Sequence, residues 1–169
     1  MKLIGFLLIV LSSVGCGFCF NTAKAHRLND LTSFSVLLEH MQAELMSRYS
    51  TLPFIVEKMQ LILEGKALEF CQKLSLGLEQ LGSESLEDIW CRCLHGTETN
   101  LNQIELSALA SIPQVLGKYD VENQAATIAT VNKLLISSIE KEQRQLPQYK
   151  KTALGISASI GAMFAVLLI

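Results

Sequence analysis

The sequence predicts an all-α protein: an antiparallel bundle of about six helices, residues 21–149, between a transmembrane helix at 1–20 and another at 150–169. Three observations carry that expectation. Residues 3–20 and 152–169 hold no charged side chain, whereas the region between them holds nearly all the Lys and Arg and every Asp and Glu. Within that region apolar residues recur at spacings of three and four, the helical period. No stretch alternates with a period of two for long enough to make a strand.

Each uncharged run has 18 residues. At ~1.5 Å per residue it covers about 27 Å, near the ~30 Å hydrocarbon core of a bilayer. The mean hydropathy of +0.34 reflects these ends. A secretory signal is the other reading of the first run. Asn21-Thr22-Ala23-Lys24-Ala25 is a poor cleavage site, with Lys inside it, so an uncleaved anchor is expected. Cys16 as a lipid-bearing residue is disfavoured, because Ser13 stands where Leu is normally needed. Lys24 and Arg27 follow the first run, and Lys141, Arg144, Lys150 and Lys151 precede the second. The positive-inside rule then places the middle region in the cytoplasm. A secreted domain with a C-terminal anchor is the alternative.

The middle region divides into helices in order. Leu28, Leu31, Phe34, Leu38, Met41 and Leu45 form one face of the first. Thr51 is a candidate cap for the next, and Pro53 fits its first turn, where a missing N–H costs nothing. Ile55, Met59 and Ile62 make its stripe, and Gly65 punctuates it. Leu68, Cys71, Leu74, Leu78 and Leu81 mark a third helix, stopped by Gly82. Ser85 with Asp88 three residues on resembles a capping box, and a short helix follows it through Trp90 to Leu94, ending at Gly96. Asn100 is the candidate cap of a fifth helix through Leu101, Ile104 and Leu109, which Pro113 kinks or ends. Gly117-Lys118-Tyr119-Asp120 reads as a turn, with Asp120 capping a last helix through Val121, Ala125, Ile128, Val131, Leu135 and Ile139.

Chemistry-bearing patterns are few. The sequence pI of about 5.9 and the lack of a basic patch argue against nucleic acid as a partner. Cys91 and His95 have a usable metal spacing, but a site needs further ligands and no second Cys/His cluster exists. Cys16 and Cys19 have redox spacing inside an apolar run, a poor setting for a thiolate. No phosphate-binding GxxxxGK[ST] loop is present, and His26, His40 and His95 belong to no recognisable triad motif. The expectation is therefore a protein with no catalytic site, no cofactor, no metal and no small-molecule substrate. A Cys/His metal-binding protein built on Cys91, Cys93 and His95 is the rival. In the apolar runs, Ser13 and Gly17, and Ser157 and Gly161, are small residues four apart, a spacing that lets helices pack closely in lipid.

Several stretches, in order, resemble the stage III sporulation protein AB family of endospore-forming bacteria. They are Met1-Lys2-Leu3-Ile4-Gly5, Tyr49-Ser50-Thr51-Leu52-Pro53, the Ser85, Leu86 and Trp90 pattern, and Leu116-Gly117-Lys118-Tyr119-Asp120-Val121-Glu122-Asn123-Gln124. Tyr149-Lys150-Lys151 before Leu154-Gly155 and Gly161 completes the set. The Leu-Gly-x-x-Asp-x-Glu-x-Gln stretch is the most specific. Ile112-Pro113 departs from the smoother, Gly-containing helix of the family pattern, and the cysteines are not part of it. The resemblance implies a membrane platform or scaffold in the mother-cell to forespore secretion-like channel. Its central domain, similar to platform domains of type II secretion and type IV pilus systems, would face the mother-cell cytoplasm. The implied partners are a secretion-type ATPase similar to stage III sporulation protein AA and other stage III sporulation membrane proteins. A membrane-anchored adaptor outside sporulation is the remaining alternative. Thr51, Pro53, Gly117, Asp120, Glu122 and Gln124 are the candidate structural or partner-binding residues.

Overall fold

The computed structural model describes residues 24–47 and 50–144; beyond these only the bounds of the first and last helices are given. The order is α1 (Lys2–Arg48), α2 (Leu52–Met59), α3 (Gly65–Leu78), α4 (Leu86–His95), α5 (Gln103–Ser111), a 3₁₀ turn (Ile112–Gln114) and α6 (Val121–Leu168). The fold is all-α, as the periodicity predicts. Among the described residues no helix is long and apolar enough to cross a membrane. The two expected spans, with Ser13, Gly17, Ser157 and Gly161, lie outside the described residues.

The chain divides into two units. One comprises residues 1–26 and 140–169; in its described part Lys24 and Glu142 form an ion pair at 4.0 Å. The other, Arg27–Ile139, holds the core and everything that follows.

The α1 stripe of Leu31, Phe34, Leu38, Met41 and Leu45 is buried throughout. Opposite it stand Phe70 and Leu74 of α3, Trp90 of α4, and Ile128 and Leu135 of α6, also buried. Phe34, Phe70 and Trp90 form a ring chain with centroids 5.8 and 5.0 Å apart. Burying the indole demands a partner for its N–H, and Trp90 Nε1 donates to the Leu109 carbonyl at 3.0 Å. Helices α3 and α4 approach closely at Gly77, where a Cβ would lie 2.6 Å from Ile89 Cγ2.

Two polar links tie distant parts of the chain together. Ser35 Oγ of α1 donates to Asn132 Oδ1 of α6 at 2.6 Å in a buried setting. Arg27 donates to the Asn100 carbonyl at 2.6 Å and to Glu105 Oε1 at 2.7 Å. Asp30 accepts from both the backbone and side-chain amides of Asn100. Buried polar groups must be satisfied internally, so these residues fix the α4–α5 loop and the start of α5 against α1.

Several boundaries differ from the sequence expectation. The cap of α5 is Asn102, in a full capping box with Glu105, and not Asn100, whose groups are engaged by Asp30 and Arg27. Starting the helix two residues later rotates its face, so Ile104 is 70% exposed and Glu105 is buried. Helix α3 ends at Leu78, which turns Leu81 outward, and α2 ends at Met59, which leaves Ile62 exposed with Leu63 buried in its place. Thr51 stands at the N-cap position of α2 but its hydroxyl makes no capping bond. Ser85 does cap α4, accepting from the Asp88 N–H at 3.2 Å.

Candidate functional site

Four chain segments meet around a cavity of about 290 Å³. Helix α1 brings Met41 and Leu45, near the end of its apolar stripe. The α1–α2 connection and the start of α2 bring Ser50, Thr51, Leu52, Pro53 and Ile55. The α3–α4 region contributes Leu78, Leu81 and Leu86, and the final turn contributes Leu116, Gly117, Val121 and Gln124. The lining is aliphatic, interrupted by Ser50, Thr51 and Gln124.

This groove unites two motifs that the sequence marks separately, Thr51 with Pro53 and Gly117 with Gln124. Asp120 and Glu122 flank Val121 and are exposed, but neither lines the groove. The direction of the helices explains the meeting. Ser35 bonds Asn132 near the middle of the parts of α1 and α6 that lie in this unit, while Leu45 shares the groove with Val121 and Gln124. Within this unit the two helices therefore run in opposite directions, and the groove sits at the end away from Arg27 and Ile139.

The turn before α6 is held locally. Gly117 has φ +73°, a left-handed conformation that a side chain resists, and open space where its Cβ would stand. Gln124 is 8% exposed and its Nε2 donates to the Tyr119 carbonyl at 2.6 Å. The Asp120 carboxylate takes the side-chain amide of Asn123. Glu122, in the first turn of α6, complements the helix dipole. On the other wall, Ser50 Oγ donates to Glu44 Oε2 at 3.4 Å, and Glu44 also pairs with Lys58. The Gln124 amide thus serves the turn, while Asp120 and Glu122 are both exposed.

The arrangement is suited to receiving apolar side chains. Leu81, 54% exposed, stands in the groove. Phe54, between the lining residues Pro53 and Ile55, and Tyr119, midway between Gly117 and Val121, are also exposed. Cys71, Cys91 and Cys93 are free thiols. Burial pushes the Cys71 thiol up to about 12. Burial, then Glu87 and Asp88, raise Cys91, and burial raises Cys93. Each shift disfavours the thiolate. Among the described residues no three His, Cys, Asp or Glu side chains converge as a metal site.

The exposed Leu81 and the groove itself escape a reading by periodicity. The groove joins residues far apart in the sequence, from Met41 to Gln124, and the apolar spacing of Leu74, Leu78 and Leu81 runs on past the end of α3. The pairing of Arg27 with the buried Glu105 has no sequence signal beyond the Asn-x-x-Glu capping pattern at Asn102.

A family model described as stage III sporulation protein AB matches residues 2–169. A solved structure titled stage III sporulation protein AB is similar to this chain with a TM-score of 0.65 and 19% sequence identity, over 73% of this chain and 98% of that one. Among curated proteins none matches.

Proposed function

This chain belongs to the stage III sporulation protein AB family, and from that premise we propose that it is a membrane platform of the mother-cell to forespore channel, on which a secretion-type ATPase docks. In this reading the apolar runs 3–20 and 152–169 anchor it in the mother-cell membrane, with Arg27–Ile139 in the mother-cell cytoplasm. The ATPase and the other stage III membrane proteins are its partners.

The observation that carries the reading is the groove. Its walls include Leu45 of α1 and Val121 of α6. These are the two helices that lead, along the chain, to the uncharged runs. A partner seated there touches both directly. The remaining lining is aliphatic and partly exposed, the composition of a docking surface.

The test is capture of the ATPase by the full-length chain reconstituted in lipid nanodiscs. The reading expects capture by the wild-type chain and its loss in Leu81→Asp, a substitution at an exposed position that leaves the core intact. Absence of capture, or capture indifferent to Leu81→Asp, contradicts it.

A further inference from the structure

The charge around the groove narrows what fits it. Glu79 follows Leu78, Glu84 and Asp88 lie two residues either side of Leu86, Glu87 follows Leu86, and Asp120 and Glu122 flank Val121. Lys118 stands beside Gly117, and Lys58 of α2 is paired with Glu44 beside Leu45. Arg92 is engaged with Glu84 at 2.8 Å, which neutralises that one acid. Three helices begin at the groove, at Leu52, Leu86 and Val121. Each N-terminus contributes about half a positive charge, which together with Lys118 still leaves the acids in excess. The first turn of α2 carries no acid, whereas the first turns of α4 and α6 carry Glu87, Asp88 and Glu122.

An aliphatic groove with acids beside it matches one mode of peptide recognition, an amphipathic helix laid into a groove. Resting on the reading of this groove as the docking surface, we infer that its occupant is a helix whose apolar stripe is flanked by Lys and Arg. Leu81, Leu86 and Val121 take the stripe. Glu79 and Glu122 meet the flanking cations. Like-charged flanks would meet the same acids and be repelled, so the groove selects against acidic helices.

The experiment uses the full-length chain in nanodiscs of zwitterionic lipid and two labelled synthetic helices with the same leucine stripe. One helix is flanked by Lys and the other by Glu. Binding is read by fluorescence anisotropy, with empty nanodiscs subtracted. The inference expects the Lys-flanked helix to bind at least roughly tenfold more tightly. The difference should shrink as salt rises from about 0.1 M to about 1 M, which cuts the screening length from about 10 Å to about 3 Å. Leu81→Asp should abolish binding of the Lys-flanked helix through the lost apolar contact, and Glu79→Lys with Glu122→Lys should remove the preference. Equal binding of the two helices, a preference for the acidic one, or a preference untouched by both variants overturns the inference. If the ATPase is captured and the helices show no preference, the charge selection falls and the docking role stands. If the preference holds and the ATPase is not captured, the docking chemistry stands and the ATPase role falls.

Discussion

Arg27 Nη2 lies 2.7 Å from Glu105 Oε1, across 78 residues of chain, and the carboxylate it meets is wholly buried. The same guanidinium holds the Asn100 carbonyl, and the same carboxylate accepts the Asn102 N–H at 2.8 Å and side-chain amide at 3.0 Å. One ion pair therefore fixes both the start of α5 and its attachment to α1.

Arg27→Ala is expected to destabilise this unit by about 3 kcal/mol, because it leaves a buried carboxylate without its cation. The sole Trp of the chain, Trp90, sits in the core and reports unfolding by fluorescence. A urea midpoint unchanged in Arg27→Ala would show that the bonds from Asn102 suffice.

Gln124→Ala removes the bond to the Tyr119 carbonyl at the groove wall and should cost about 1 kcal/mol. Glu122→Ala, at an exposed position, should cost about 0.5 kcal/mol through the helix dipole. Urea titrations of the two variants check the order. A larger loss at Glu122 than at Gln124 would contradict the assignment of the turn's structure to Gln124.

Gly77→Ala should destabilise by about 2 kcal/mol, because the new methyl collides with Ile89 between α3 and α4. Gly117→Ala meets no neighbour and should cost about 1 kcal/mol from its left-handed backbone alone. Ile89→Ala makes the two cases separable. In a double-mutant cycle it should partly offset Gly77→Ala and be additive with Gly117→Ala.

Cys71 ionises with a pKa raised from 9.0 to about 12. A folded pKa above the unfolded one means that the folded state keeps its proton longer. That contribution is fully present below the unfolded pKa, and is lost as pH rises from about 9 toward 12. Stability followed by Trp90 fluorescence should fall over this window, and a Cys71→Ala chain should show a shallower fall. Alkylation read by peptide mass should modify Cys91, the more exposed thiol, before Cys93 and Cys71. Early modification of Cys71 in the folded protein would refute its burial.

Much of the fold is legible in the sequence because the bundle is built from long one-sided stripes. The α1 face from Leu31 to Leu45 and the Ser85 cap follow from local spacing alone. The α5 cap does not: Asn100 and Asn102 are both good capping residues, and the distinction lies in Glu105, which stands three residues after Asn102. Leu81 and Ile62 continue an apolar period beyond the end of a helix, where the chain turns and the period loses its meaning. For the candidate site, the Thr51–Pro53 and Gly117–Gln124 motifs are visible as separate stretches. Their meeting is a consequence of α1 and α6 running in opposite directions, which no local pattern encodes.

The most direct measurement is photocrosslinking in sporulating cells, with a benzoylphenylalanine placed at Leu81 in the groove and, as a comparison, at Leu76, which is exposed on α3 and does not line it. The account predicts a crosslink from position 81 to the secretion-type ATPase and none from position 76. Equal crosslinks from both positions, or no ATPase adduct from position 81, would contradict it.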